Sequence, residues 1–194
     1  MEYNEPKLTE NALKVLERRY LKKDEEGKIT QMDLSKMPFI PNGAFDLVNE
    51  IIIKPGEEAC PIIFISGAYR EYLPHMSREK KDEFIYPCVT STNKSGVKLY
   101  YSNTKERGLF GIPKVIFSDA DIIANAVLDI GGEFAMTQHA MAIQIENENE
   151  GKQIKSALES DKFNKFLKLC RWSNFQIEWR MFKYFRREFW REFI

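Results

Sequence analysis

The sequence predicts an α+β protein in which helices flank a mixed or antiparallel sheet. Three observations support this fold class: helical periodicity near both ends of the chain, short apolar segments separated by turn residues in between, and a further periodic stretch after an acidic run. The 194 residues are 43% hydrophobic and 30% charged, which is typical of a globular chain long enough to bury a core.

The first element is predicted to be an amphipathic helix. Thr9 is a suitable N-cap, and Lys22 and Lys23 lie near the predicted C-terminal end, before Asp24. The apolar residues recur at three- and four-residue steps: Leu8, Ala12, Val15, Leu16 and Tyr20. We expect residues 1–30 to form an N-terminal helical segment, residues 31–42 a linker with two prolines, and residues 43–194 the main domain.

The main domain is predicted to start with a short helix over residues 43–54, which Pro55 and Gly56 terminate. An apolar strand over residues 61–65 follows. Five more strand candidates lie between loops that are rich in Gly, Asn and Pro: residues 86–89, 97–101, 114–117, 126–130 and 140–145.

The C-terminal part is predicted to be helical and rich in aromatic residues. An acidic run over residues 146–150 precedes a helix that begins near Gly151 and breaks near Ser160. Eleven aromatic residues fall in the last 32 positions, among nine Lys or Arg and three Glu after Asp161. Most of these rings should pack inward, which leaves a basic face that either is merely solvated or follows a phosphate backbone: Arg171, Arg180, Lys183, Arg186, Arg187 and Arg191.

The cysteines and the chain as a whole suggest a reducing, cytoplasmic compartment and no membrane association. Cys60, Cys88 and Cys170 are far apart and are expected to be buried or half-buried free thiols. No Cys or His spacing suits a metal, no secretory signal is evident, and no apolar stretch approaches the length of a membrane span. Because 29 cations balance 29 anions, any basic surface must be local.

Sequence motifs identify no self-sufficient active site. The chain has no phosphate-binding loop, no GxGxxG, no GxSxG elbow and no segment for an S-adenosylmethionine site, so no cofactor is expected. A nuclease needs carboxylates that converge on a cation, usually Mg²⁺, with a Lys nearby. The weak candidates are Asp119, Asp121 and Glu133, with Asp129 and Lys114 in the same region, but these acids are expected to be solvated strand-end and loop residues.

Three groups of polar and basic residues are candidates for binding DNA. Cations would anchor phosphates, while Asn, Gln and Thr would contact base edges. The alternatives are an ordinary polar hairpin for the first group, a strand-entry turn for the second, and a solvated face for the third. The groups are Ser91, Thr92, Lys94, Tyr101, Asn103, Lys105 and Arg107; Gln138 and His139, which follow Met136 and Thr137; and Asn174, Arg180 and Lys183.

Taken in order, these segments resemble the C-terminal target-recognition region of DNA adenine methyltransferases from type II restriction-modification systems and large DNA viruses. The resemblance covers residues 37–194, and its blocks are residues 39–48, 86–92, 100–103, 108–117, 136–138, 172–175 and 182–185. It implies a domain that reads duplex DNA, whereas the catalytic half of such enzymes binds S-adenosylmethionine. Ala135 stands where a Gly often precedes Met-Thr, and its β-carbon should narrow the conformations of that turn.

Residues 8–29 resemble instead the start of adenosylcobalamin-dependent ribonucleotide reductases. The redox cysteines of such an enzyme are absent, which excludes reductase activity. We interpret the chain as a mosaic in which a reductase segment is joined to a recognition domain, in the manner of a mobile element.

The sequence thus predicts sequence-specific binding of double-stranded DNA, with a possible separate catalytic subunit as partner. Two alternatives remain: a Mg²⁺-dependent homing or restriction endonuclease that depends on Asp119 or Asp121, and a protein-interaction subunit that docks through its aromatic tail.

Overall fold

A computed structural model describes residues 21–23, 29–31, 44–120, 122–170 and 179–194. The chain divides into two compact units, Met1–Ile40 and Pro41–Ile194.

In the first unit, strands β1 (Leu21–Lys23) and β2 (Ile29–Gln31) pair in antiparallel fashion. The prediction that the N-terminal helix reaches Asp24 is therefore wrong in its last turn, because Leu21–Lys23 hydrogen-bonds to the β-prone segment around Ile29 and Thr30. Residues 8–20 of that helix, and residues 32–42 of the predicted linker, lie outside the described residues.

In its described residues, the second unit contains helix α1 (Phe45–Ile51) and eight strands. These are β3 (Ile62–Ile63), β4 (Met76–Ser77), β5 (Tyr86–Asn93), β6 (Gly96–Ser102), β7 (Lys114–Ser118), β8 (Val127–Asp129), β9 (Ala135–Met136) and β10 (Ala140–Gln144). Helices α2 (Glu148–Glu159) and α3 (Asp161–Leu169) follow, and two 3₁₀ segments, Trp179–Tyr184 and Phe189–Phe193, lie near the end of the chain. The α+β class and the six predicted strand regions are confirmed.

The strands form two four-stranded sheets where the sequence predicted one. Sheet I has the order β3-β10-β7-β8 and is antiparallel, and sheet II has the order β4-β6-β5-β9 with β9 parallel to β5. The physical reason lies in β7, whose five residues are all buried. A strand buried on both faces must have a layer on each side of it.

Successive side chains of β7 point to opposite faces of sheet I, and their contacts show what covers each face. Ile116 belongs to the apolar cluster that contains Cys88 and Val89 of sheet II, whereas the ring of Phe117 lies 5.4 Å from the ring of Phe182 in the first 3₁₀ segment. Sheet I is thus the middle layer between sheet II and a layer of helices and aromatic rings.

Local sequence signals explain how α2 and α3 start. The side chain of Asn147 accepts a hydrogen bond from the amide of Glu150 at 2.9 Å, and Glu150 accepts one in return from the amide of Glu146 at 2.6 Å. Ser160 ends α2 and caps α3 by accepting from the amide of Phe163 at 3.0 Å. The predicted break near Ser160 is therefore confirmed.

Most of the described rings of the aromatic tail pack inward, as predicted, from α3 and from the 3₁₀ turns that follow it, whereas Tyr184 is exposed. Phe163 touches the rings of Phe182, Phe189 and Phe193, and all four side chains are buried. Arg180, Lys183 and Arg191 are exposed, while Arg186 and Arg187 are half-buried and paired with glutamates. Arg171, Trp172 and Phe175 lie outside the described residues.

Candidate nucleic-acid interface

The β5–β6 hairpin separates the first group of predicted contact residues into two. Lys94 lies at the tip between the strands, whereas Tyr101, Asn103, Lys105 and Arg107 lie at or beyond the far end of β6. Since β6 has seven residues, these two places are roughly 20 Å apart along the strand. The hairpin alone therefore does not bring the group together.

Thr92 does not belong to an exposed contact set. It is completely buried, its amide donates to Oγ of Ser118 at 3.1 Å, and its own Oγ1 accepts from the Ser118 amide at 3.1 Å. Thr92 thus fastens the hairpin of sheet II to the end of β7, and we correct its predicted role to a structural one. Ser91, its neighbour, is half-buried at a register shift of the β5–β6 pair.

A His–Asp pair lies beside the hairpin tip. Nδ1 of His139 is 3.6 Å from Oδ2 of Asp119, and the side chains are 45% and 22% exposed. Asp119 follows Ser118, which is bonded to Thr92, and Asn125 donates to the carbonyl of Asn93 at 2.7 Å. Burial raises the pKa of Asp119, and the neighbouring His139 opposes that rise. Predicted residues from different groups thus meet at this end of the sheets.

The far end of β6 carries the other half of the hairpin group. The side-chain amide of Asn103 donates to Glu83 at 3.2 Å, and the ammonium of Lys105 lies 5.0 Å from the ring centre of Tyr86 and 5.6 Å from that of Phe110. Lys105 and Arg107 are exposed, and Tyr101 is half-buried. This end therefore presents two exposed cations, of which Lys105 lies over two aromatic rings.

Residues 66–75, here called the bridging loop, contact Gln138 of the second predicted group and the far end of β6, which carries part of the first group. The amide of Glu71 donates to Oε1 of Gln138 at 3.3 Å. At the other side, the amide of Arg107 donates to the hydroxyl of Tyr69 at 3.2 Å, and the amide of Asn103 donates to the carbonyl of His75 at 3.1 Å. The bridging loop thus connects Gln138 to the far end of β6.

Two described cations of the tail lie beside the ring of Trp179, which contacts Phe64, two residues before the bridging loop in the sequence. The ring of Trp179 stacks on Phe64 with centroids 4.9 Å apart, and the ammonium of Lys183 lies 4.5 Å from the centre of the Trp179 ring. The guanidinium of Arg180 is 5.6 Å from that centre. Asn174, the remaining predicted residue of the tail, lies outside the described residues.

Sequence reasoning missed the two side chains that the bridging loop presents. Tyr72 is 72% exposed, and its hydroxyl accepts from Nη1 of Arg70 at 2.8 Å. The sequence signal for this segment was its turn residues: Ser66 and Gly67 at its start and Pro74 near its end mark a loop, and binding residues are often found on loops.

The described nuclease candidates do not converge. Asp119 follows the last residue of β7, whereas Asp129 pairs with Lys114, the first residue of β7. Glu133 is exposed near Asp129, and Asp121 lies outside the described residues. Within the part of the chain that the structure describes, no three His, Cys, Asp or Glu side chains are grouped so that they could hold a metal ion.

Asp129 and Lys114 form a buried ion pair, so the expectation that Asp129 is solvated is wrong. Nζ of Lys114 donates to Oδ2 of Asp129 at 2.7 Å and to the carbonyls of Leu109 and Ile112 at 2.9 and 3.0 Å. Asp129 also accepts from the amides of Glu133 and Phe134. Burial lowers the pKa of Lys114 while Asp129 counteracts that effect, so the pair acts as a structural anchor.

We call residues 108–113 and 131–134, together with this ion pair, the clasp. The amide of Gly111 donates to the carbonyl of Gly132 at 2.8 Å, so the two loops touch through their backbones. Gly132 has a φ of +65°, and a β-carbon there would lie 2.4 Å from the amide nitrogen of Ile112. Glycine is therefore required at this crossing.

Two further expectations can be compared with the structure. Cys60, Cys88 and Cys170 are free and buried, as predicted, and burial raises the pKa of Cys88 and of Cys170 to about 12. Ala135 lies in β9 and has no positive φ, so its β-carbon does not constrain a special turn there. Thr137, in contrast, is buried and cannot donate to a ligand at the surface.

Among the described residues, no helix is both long and apolar enough to cross a membrane. No protein-family model, curated protein or solved structure matches the chain.

Proposed function

We propose that residues 41–194 bind double-stranded DNA in a sequence-specific way, as a target-recognition domain whose bond-making chemistry is supplied by a separate catalytic subunit. The observation that carries the proposal is the bridging loop. It contacts Gln138 on one side and the segment of Asn103 and Arg107 on the other, and it follows directly after the Phe64–Trp179 stack.

The proposed contact residues divide into cations and amide side chains. Lys105, Arg107 and Lys183 are exposed cations that suit phosphates. Gln138 and Asn103 carry amide groups that can bond to base edges, since each has a donor and an acceptor. The distance of roughly 20 Å between the hairpin ends is about six base pairs at the 3.4 Å rise of duplex DNA.

The experiment that tests this proposal is selection of bound duplexes from a random pool with the full chain, with and without Mg²⁺. We expect enriched sequences in both conditions, intact DNA ends, and an affinity that falls as salt rises by about 0.9 logarithmic units per decade for each phosphate contact. Bound DNA without enriched sequences would contradict sequence reading. Affinity that does not respond to salt would favour a protein-interaction role instead.

Cut DNA ends that require Mg²⁺ would identify the chain as an endonuclease. Asp119→Ala should then abolish cutting, whereas the binding proposal expects this variant to bind DNA and to leave the ends intact. For variants that remove one of the proposed DNA-contacting cations, the matched control is Lys152→Ala on α2. Lys152 is exposed and paired with Glu148 at 2.7 Å, and it is distant from the bridging loop in the sequence.

A further inference from the structure

The most exposed large apolar side chain among the described residues is held in a defined position. Tyr72 is 72% exposed, compared with 63% for the C-terminal Ile194 and 46% for Ile65. A single exposed aromatic needs no explanation by itself, but here the hydroxyl of the side chain and the backbone on both sides of it are hydrogen-bonded. This combination suggests that the side chain is presented to a ligand.

Arg70 fixes the hydroxyl end of the Tyr72 side chain. Its Nη1 donates to that hydroxyl at 2.8 Å, while its Nε donates to the carbonyl of Ser66 at 2.7 Å. The guanidinium is therefore anchored at the start of the bridging loop and holds the phenol at the middle of it. An aromatic ring that is ordered before binding loses little conformational entropy when a ligand covers it.

The backbone on both sides of Tyr72 is also fastened. The amide of Glu71 donates to Gln138, and the amide of Leu73 donates to the carbonyl of Arg70 at 3.0 Å. In contrast to Tyr72, Tyr69 on the same loop is fully buried and packs edge-on against Phe110 at 5.7 Å. The loop thus uses one tyrosine as its anchor and leaves the other in solvent.

We propose that Tyr72 is a stacking residue that binds the face of an unpaired base in a DNA duplex, with Arg70 positioning its ring. This inference rests on the proposed function, since Tyr72 lies between Gln138 and the basic end of β6. The faces of bases inside a regular duplex are covered by their neighbours. A ring on a loop therefore reaches a base face only at a mismatch, a bulge or a kinked step.

The test compares two duplexes of the selected sequence, one fully paired and one with a single unpaired 2-aminopurine. The wild-type chain should bind the second duplex more tightly and quench the fluorescence of the unpaired base. Tyr72→Leu should reduce this preference by roughly 5- to 150-fold, the range for removing a base–aromatic stack, and should lose the quenching. The readout is the ratio of the affinities of each variant for the two duplexes, so a general loss of affinity cancels.

Two controls separate stacking from other roles. Tyr72→Phe keeps the ring and should keep both the preference and the quenching, so a loss in this variant would overturn stacking in favour of the hydroxyl. Tyr184→Leu removes another exposed tyrosine, 44% exposed and located in the first 3₁₀ segment, and should change neither readout. Thermal unfolding of each variant checks that the fold is intact.

The outcomes distinguish this inference from the function on which it rests. Salt-dependent binding of the paired duplex without any preference for the unpaired base would overturn the role of Tyr72 alone. An equal preference for the unpaired base in the wild type and in Tyr72→Leu would also overturn the role of Tyr72 alone. No binding of either duplex by the wild-type chain would overturn the proposed function and this inference with it.

Discussion

The bridging loop and the clasp are two loop regions that use hydrogen bonds in opposite ways. In the clasp, Lys114 and Asp129 are buried, and each of them bonds to the backbone of a neighbouring loop. Around the bridging loop, Arg70 and the neighbouring Gln138 are half-buried: Arg70 donates to the hydroxyl of the exposed Tyr72, and Gln138 accepts from the amide of Glu71. The first arrangement stabilises the fold, whereas the second presents a surface.

This difference shows that a distinctive sequence segment need not be a functional one. The block over residues 108–117 is among the most characteristic parts of the chain, yet its polar side chain, Lys114, is fully buried. The bridging loop has no motif, yet it connects the groups that the sequence singled out. We therefore expect substitutions in the clasp to change stability and substitutions of exposed cations beside the bridging loop to change DNA binding.

The largest effect is expected from Asp129→Ala in the clasp. The substitution leaves the ammonium of Lys114 buried without a counter-charge and two amides without an acceptor, so unfolding should require about 3–5 kcal/mol less free energy. Denaturant titration measures this loss. Glu133→Ala is the control, because that side chain is exposed, and a change within about 0.5 kcal/mol is expected there. Equal losses would mean that the ion pair is not the anchor.

A somewhat smaller loss is expected from Gly132→Ala. The added β-carbon meets the backbone of Gly111 and Ile112 within 2.6 Å, and φ is +65°, so we expect about 3 kcal/mol of destabilisation from strain and displacement together. Gly108→Ala is the matched control, with φ of +82° and nothing within 4 Å of the new carbon, and should cost about 1 kcal/mol. Comparable losses for the two variants would argue against a close approach at Gly132.

Beside the bridging loop, Arg107→Ala should weaken DNA binding while leaving the fold intact. Because one cation is lost from the phosphate contacts, affinity should fall by about tenfold for all sequences alike, and the slope of affinity against salt should decrease by about 1. Fluorescence anisotropy at several salt concentrations measures both. Lys152→Ala should leave the slope unchanged, and a decrease in that variant would point to non-specific attraction.

The smallest effect is a pH dependence at the hairpin tip. Burial raises the folded-state pKa of Asp119 above its ordinary value, so the folded protein binds this proton more tightly than the unfolded chain does. Asp119 therefore disfavours folding increasingly as pH rises through that window. Asp119→Asn should accordingly gain stability relative to the wild type over the same rise in pH, as measured by thermal unfolding.

Glu148→Gln on α2 is the control of opposite sign. Its hydrogen bond with Lys152 lowers the pKa of Glu148, so its contribution is present at neutral pH and lost as pH falls. Removing this carboxylate should therefore make the variant lose stability relative to the wild type as pH rises. The same trend in both variants would show that the measured dependence arises elsewhere.

Much of the fold could be predicted because its signals are local. Apolar runs bounded by Gly, Pro and Asn located β5 to β8 and β10 within a few residues, and Ser160 marked the break between α2 and α3. The division into two sheets could not be predicted, since it depends on which strands pair across long stretches of chain. The burial of β7 on both faces is a consequence of that pairing.

The candidate site was predictable only in its separate parts. Residue type identified Lys105, Arg107, Gln138 and Lys183 as possible contacts, but it assigned the same role to Thr92, whose side chain is buried against Ser118. Tyr72 carried no motif and was missed. Whether a side chain can contact DNA depends on its exposure and on the side chains around it. Both depend on contacts between residues that are far apart in the sequence.

The sequence by itself determined which positions are apolar, where the chain turns, and that the rings of Phe163 and Phe166 face inward, because burial of apolar surface and turn conformations follow from residue type. Only the tertiary structure decided that Lys114 and Asp129 neutralise each other inside the protein, and that Tyr72, Gln138 and Arg107 are joined by one loop. A polar side chain can form its hydrogen bonds with water or with other groups of the protein. Which of these it does depends on the long-range strand pairing, because that pairing determines what is buried.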